Sequence, residues 1–334
     1  MQLFAGLDVH SAFTYGTVLD EDGNKIREMK VSTAEDGFEM LFSKFPKKSK
    51  VKAVFEASQN WPRVAHLIEQ QHVTPIMAHP LKVRAIASAR IKTDKIDSRT
   101  LAHLLRTDLI PESYMPPDNI VALRELLRYR VQLGQERANQ KTIIRSILAR
   151  EGKICACADV TSLKARKQFS ELALLHNNRR ELEHALAIAE LHSKSIEDVE
   201  KEIDAKASMS TEAKLICSIP GFANYSAMLI LSEIGDVHRF DSAEKLAAYS
   251  GLVSSTYQSS TTLHQGKITR QGSHWLRWIL IQSTSIAVRK PNRLRQFYLR
   301  LKAKKGHNKA IVATARKTLT IIWTLLHKQE QFRP

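Results

Sequence analysis

Three cysteines in 334 residues leave nothing from which to build a disulfide framework. Cys155-x-Cys157 also lacks the wider gap of a zinc-ligating pair. No run of ~18 apolar residues occurs, so no membrane span is expected. The N-terminus enters an apolar, strand-like run without a basic leader, which argues against a secretory signal and for a reducing cytoplasm. Acidic residues are the most telling shortage. From Lys245 to Pro334 there are nine Lys and eight Arg against one acid, Glu330, so this stretch carries +16 of the formal net charge of +17. A field this one-sided attracts polyanions, and Lys and Arg contacts to phosphate are the main source of nucleic-acid affinity. A basic membrane-surface protein would share the charge, but the Gly, Ser and Thr loops in the segment and the lack of a lipidation signal argue against it.

The remaining composition is that of a globular chain long enough for two or three domains. Residues 1–110 alternate between strand and helix patterns. Leu3–Val9, Phe13–Leu19 and Lys25–Val31 read as strands, the last two joined by an Asp22-Gly23 turn. A helix is expected over about 33–44, a strand over Val51–Glu56, a helix from Asn60 and Pro62, a strand over Val73–Ala78 and a helix from Pro80. Three antiparallel strands followed by two that need helical crossovers give the strand order of a ribonuclease-H-like sheet.

Carboxylates recur at the strand ends. Asp8 closes the first strand and Glu56 the fourth, and parallel neighbours ending at one level put them side by side. Thr93 is a good helix N-cap, and Asp94 and Asp97, three residues apart, share one face of the helix that follows. An acidic first turn is explained by the helix dipole alone; two strands that also finish in acids are not. Asp8, Glu56, Asp94 and Asp97 together would repel one another unless protonated or neutralised. Mg²⁺, which prefers oxygen ligands and leaves room for phosphate, is the natural neutraliser.

Residues 111–120, with Pro111, Pro116 and Pro117, read as a hinge. A long helix is expected over 120–150 and a second over about 171–205, where Leu182, Ala189, Ile196 and Ile203 recur every seven residues. Such a pair forms an antiparallel coiled-coil hairpin available for dimerisation, or a helical subdomain packed on its own chain. Ile219-Pro220-Gly221-Phe222 between two short helices reads either as a helix-hairpin-helix that offers N–H groups to phosphate or as an ordinary packing turn. The Ser/Thr run from Ser254 to Thr262 reads by composition as a polar loop, or else as the source of a serine nucleophile. Lys267, Arg270 and Arg277 bring positive charge beside it, but no evident histidine base unless His264 or His274 serves. Arg289, Lys290, Arg293, Arg295, Arg300, Lys302, Lys304, Lys305 and Lys309 are expected to form a phosphate-binding face.

In this order and spacing the motifs are specific. Gly6-Leu7-Asp8-Val9-His10, Phe55-Glu56-Ala57-Ser58 and Lys92-Thr93-Asp94-Lys95-Ile96-Asp97 carry the N-terminal part. Ile219-Pro220-Gly221, Glu233-Ile234-Gly235-Asp236, Leu246–Val253, Gly266–Gly272 and Leu276-Arg277 carry the C-terminal part. The chain resembles transposases of the insertion-sequence-110 type, the DEDD recombinases related to Piv-type DNA invertases. The resemblance implies three regions: a RuvC-like (RNase H-like) domain over 1–115, a helical coiled-coil insert over 116–208, and a mainly α-helical C-terminal transposase domain over 209–334. It implies that Asp8, Glu56, Asp94 and Asp97 bind Mg²⁺, and that a C-terminal serine forms a covalent phosphoserine with DNA. Partners implied are donor and target DNA, a structured guide RNA encoded by the element, and further copies of the chain as a dimer or tetramer, in a bacterial cytoplasm at the nucleoid. The family's serine precedes glycine, and the matching position is Ser259, followed here by Ser260. Ala223 replaces the second hairpin glycine, Ser254 a proline and Ser98 an alanine. Two other readings remain open: a Mg²⁺-dependent RuvC-like nuclease or junction resolvase without a covalent serine, and a non-enzymatic basic nucleic-acid-binding protein.

Overall fold

A computed structural model describes residues 1–45, 49–87, 93–259 and 262–333, with the side chains of 256–259 and 262–265 left undescribed. The chain forms two compact units, Met1–Pro117 and Asp118–Pro334.

The first unit is a five-stranded sheet in the order β3-β2-β1-β4-β5, with β1 at Gln2–Val9, β2 at Phe13–Leu19, β3 at Lys25–Ser32, β4 at Lys50–Glu56 and β5 at Thr74–Ala78. β1, β2 and β3 pair antiparallel, while β1, β4 and β5 run parallel, as in an RNase H-like sheet. Strand alternation divides the residues between two faces. Leu3, Ala5, Leu7, Ala53 and Phe55 pack on α1 (Glu35–Phe42) and α2 (Trp61–Glu69) through Phe38, Leu41, Val64 and Ile68. Phe4 and Val54 point the other way, onto Val83 of α3 (Pro80–Ile86) and Leu101, Leu104 and Leu105 of α4 (Asp94–Arg106). Covered on both sides, β1 and β4 are continuously buried over Leu3–Leu7 and Ala53–Phe55, and those stretches carry no polar side chain. Gly6, Asp8 and Glu56 have the parity of the α4 face.

In the second unit α5 (Asp118–Arg150) and α7 (His176–Met209) run antiparallel. Leu127 and Val131 share a core with Ile203 and Ala207 near one end, and Ile144, Ile147 and Leu148 meet Leu182, Ala185 and Leu186 near the other. The sequence places the second helix at 171; the structure begins it at His176, because residues before it form α6 (Leu163–Ser170), which caps the far end with Ala165 and Phe169. The near end merges into a core of α8 (Thr211–Cys217), α9 (Asn224–Ile234), α10 (Ala243–Tyr249), α11 (His274–Ala287) and α13 (His307–Lys328), with α12 (Arg293–Lys305) on its flank. The described residues of the Ser/Thr run are strand rather than loop. Ser254–Ser259 (β6) and Thr262–Ile268 (β7) form an antiparallel ribbon, since Thr, Tyr and Ile favour extended backbone whatever their polarity. Among the described residues no helix is long and apolar enough to cross a membrane.

Candidate active site

The register of the parallel pair fixes the first two acids. Leu7 pairs with Phe55, so the next residue on each strand is an acid, Asp8 or Glu56, with the same parity. α4 brings the others: Thr93 Oγ1 accepts from the Ile96 N–H at 3.2 Å, and this cap starts the helix with Asp94 and Asp97 in its first turn. Asp8, Glu56 and Asp97 line one cleft of about 380 Å³, with Arg84 of α3 in its wall. Burial pushes the Asp8 carboxyl above its ordinary value; His10 opposes the rise, and Asp94 and Asp97 add to it.

His10 is the member that sequence reasoning passed over. Its Nε2 lies 3.4 Å from Asp8 Oδ2 and 3.5 Å from Asp94 Oδ1. Asp8, His10 and Asp94 each offer a ligand atom within 4.8 Å of the others, close enough for one cation. The signal was available: His10 follows directly on β1, two residues beyond Asp8, the spacing at which a strand returns a side chain to the same side of the sheet.

Three contacts set the position of α4. A Cβ on Gly6 would lie 2.0 Å from the Ser98 carbonyl oxygen and 2.4 Å from the Ala102 nitrogen, so the bare glycine lets the helix backbone rest on β1. Ser98, fully buried, shares a 2.8 Å hydrogen bond with Thr17 of β2. On the edge strand, the buried Glu28 carboxylate receives Lys95 at 2.9 Å, Arg99 at 2.8 Å and Lys25 at 3.1 Å. Burial alone would raise the Glu28 pKa, but these three cations outweigh it and hold it at about 2. This clamp is not visible in the sequence, because two of its three cations, Lys95 and Arg99, lie on another element.

Of the two candidate serines, Ser259 is the last residue of β6. Ser259 pairs with Thr262 in the ribbon, its side chain undescribed, and Ser260 lies outside the described residues, as do Arg90, Ile91 and Lys92 of the acidic motif. The base of the ribbon is well defined. The Thr269 N–H donates to the Val253 carbonyl at 2.8 Å and the Ser273 N–H to that of Tyr249 at 3.1 Å. Beneath it sits Glu233, 1% exposed, which accepts from Arg128 at 2.7 Å and from the Ser273 hydroxyl at 2.8 Å. Glu233 therefore ties α5 to the residue that caps α11. Burial, reinforced by Arg128, lowers the His274 pKa.

The expected phosphate-binding side chains are divided. Lys267 and Arg270 are exposed beside the ribbon. Arg277 turns inward and donates to the Ser250 carbonyl at 3.0 Å. Arg295 donates to the Arg289 carbonyl and Arg293 to that of Arg333. Arg289 and Lys290 lie in the turn before α12, and Lys302, Lys304 and Lys305 in its last turn. In the Pro220-Gly221 turn, Gly221 stands where a Cβ would meet the Ala287 nitrogen at 2.6 Å, and Ile219 and Phe222 are buried. Packing on α11 accounts for that glycine.

Comparison with known proteins adds the lineage. A DEDD transposase model of the IS110 type matches residues 5–151, and the model "Transposase IS116/IS110/IS902 family" matches 213–299. The transposase for insertion sequence element IS1111A of Coxiella burnetii is 34% identical over 143 residues, 42% of this chain and 39% of that protein. The match thus spans well under two thirds of that relative. The pilin gene-inverting protein of Moraxella bovis is 26% identical over 284 residues, covering 81% and 78% of the two chains. A probable family 20 transposase of Pseudomonas aeruginosa is 24% identical over 258 residues, 73% and 75% of each. With one model on the unit that gathers the acids and its companion on the helical core that carries the serine ribbon, the chain belongs to the IS110-type transposase family.

Proposed function

We propose that this chain cuts and rejoins DNA as an insertion-sequence transposase, with Asp8, Glu56, Asp94 and Asp97 holding Mg²⁺ and a serine of the β6–β7 ribbon attacking phosphorus. The observation that carries the reading is the gathering of acids from β1, β4 and α4 at one sheet edge, where burial and neighbouring acids raise the Asp8 pKa. A donor set of hard oxygens under mutual repulsion is what a small dication neutralises. When bound, Mg²⁺ supplies positive charge to a phosphoryl oxygen that gains negative charge in the transition state. Ser259, with Ser260 the second candidate, forms the new Oγ–P bond as a P–O bond to deoxyribose breaks; the hydroxyl proton leaves to a base and the departing oxygen takes one up. A phosphoester is kept throughout, so a second deoxyribose hydroxyl can reverse the step without ATP.

Donor and target DNA, a guide RNA and further copies of the chain complete the reading. The charge of the last 90 residues supports the nucleic-acid partners. Ile154, Leu163 and Leu175, 85%, 86% and 70% exposed at the far end of the helix pair, support self-association. DNA carrying the element's ends, incubated with the chain and Mg²⁺ and run on a denaturing gel, is expected to show a protein–DNA adduct. Asp8→Asn should abolish it, and Ser259→Ala and Ser260→Ala assign the attacking hydroxyl. Cutting that survives both serine substitutions without an adduct would replace this reading with a hydrolytic nuclease.

A further inference from the structure

Between α12, α13 and residues 330–333 lies a cleft of about 600 Å³, well within the second unit. Its floor is apolar, with Leu294, Leu325 and Phe332 buried. Its rim is cationic: Arg293, Arg300, Lys317 and Arg333 line it against one acid, Glu330. Glu330 is 3.9 Å from Arg333, and Arg293 holds the Arg333 carbonyl, so among the described residues Arg300 and Lys317 are the rim cations that hold neither a carboxylate nor a carbonyl. The half-buried Phe297 also lines the cleft, with the Arg300 guanidinium 5.4 Å from its ring centroid. The Phe332 N–H donates to Ser218 Oγ at 2.8 Å, which fixes the wall formed by the last residues.

We infer that this cleft seats an unpaired nucleotide of a polynucleotide strand, its base against Phe297 and the apolar floor, its phosphates on Arg300 and Lys317. The inference rests on the proposed action on nucleic acid and names a subsite for it. A convex basic surface suits duplex DNA, whose bases are stacked out of reach. A concavity with an aromatic wall and a cationic rim suits a base that has left the stack. The volume is that of a pocket for a small organic group rather than of a groove that holds a duplex.

The test uses the full-length chain and fluorescent oligonucleotides of about 15 nucleotides, as single-stranded DNA, single-stranded RNA and duplex DNA, read by anisotropy. Phe297→Ala is expected to weaken single strands roughly tenfold, the effect of losing one stacked base, and to leave duplex binding unchanged. Phe297→Trp should restore binding. Arg300→Ala with Lys317→Ala should lower the single-strand salt slope by about 1.4, two phosphate contacts' worth. Equal losses for strand and duplex, or none, would overturn the inference, and should Phe297→Ala unfold, the Trp variant and the slope still decide it. Preference of RNA over DNA, or the reverse, identifies which strand the cleft serves. Asp8→Asn separates the two claims, because it should stop cutting and leave single-strand binding intact. If the wild type never cuts DNA but binds single strands selectively, the proposed function fails and the cleft stands.

Discussion

Gly6→Ala is the smallest change that should dismantle the acid cluster. A methyl at this position would lie 2.0 Å from the Ser98 carbonyl oxygen, roughly 1.4 Å inside the distance where ordinary van der Waals contact begins, at 3.4 Å. Both near atoms, Ser98 O and Ala102 N, are backbone, so no rotamer relieves the contact and α4 must retreat or tilt. A retreat of that size breaks the 2.8 Å Thr17–Ser98 bond inside a closed core. Overpacking of this kind costs about 1–3 kcal/mol, and on the order of 4–8 °C is lost per kcal/mol in a unit near 100 residues. Activity should fall further than stability. Displacing reacting groups by ~1 Å costs on the order of 10²-fold, and the retreat moves Asp94 and Asp97 away from Asp8. The assay is paired: a thermal melt by circular dichroism, and strand cutting well below the melting temperature. A Gly6→Ala protein that melts and cuts like the wild type would refute the claim that helix-to-strand contact sets the acids.

Asp8→Asn should raise the melting temperature in metal-free buffer near neutral pH while abolishing cutting, because it removes a charge that burial disfavours. Added Mg²⁺ should stabilise the wild type and not the variant, and equal shifts would argue against Asp8 as a ligand. Glu28→Gln concerns the acid limb. The Glu28 pKa is lowered to about 2, so its contribution is present above the unfolded value near ~4.3 and is lost as pH falls toward 2. The variant should be less stable at neutral pH and lose less on acidification over that window, measured as urea midpoints; parallel curves would count against the clamp. Glu233→Ala should cost about 1–3 kcal/mol in denaturant unfolding, by leaving the Ser273 hydroxyl without its acceptor and Arg128, which water still reaches, without its partner. An Arg128→Ala, Glu233→Ala double variant should cost less than the sum of the singles, and strict additivity would show that the pair is not coupled. DNA binding should fall by orders of magnitude between ~50 and ~200 mM salt; insensitivity would remove the basic residues of the last 90 as the docking surface.

The sheet was legible because its signals are local. Apolar runs with a fixed parity, Asp22-Gly23 and the prolines at helix starts each act over a few residues, and strand ends carry Asp8 and Glu56 to one level. The Thr93 cap and the Asp94, Asp97 spacing are equally short-ranged. The roles of Glu28 and Glu233 were not legible, since Glu28 stands in no pattern and Glu233 was read only as part of a motif. Their meaning comes from Arg99 and Arg128, 71 and 105 residues away along the chain. His10 had the right parity but was read only as part of a motif. The Ser/Thr ribbon was obscured because polarity and extended preference coincide in threonine, and only pairing with Leu263–Ile268 distinguishes a strand from a loop.

The antiparallel pair of α5 and α7 leaves the second unit's core and returns to it at one place, with Leu127 and Ile203 at that base. Its length is therefore free to vary without rerouting the polypeptide. Deleting seven residues from each arm, two turns or about 10 Å of rise, would bring the tip closer while keeping the same stripe inward. The excursion behaves as a ruler, and graded shortening would measure how far from the core any contact made through Ile154, Leu163 and Leu175 must be delivered.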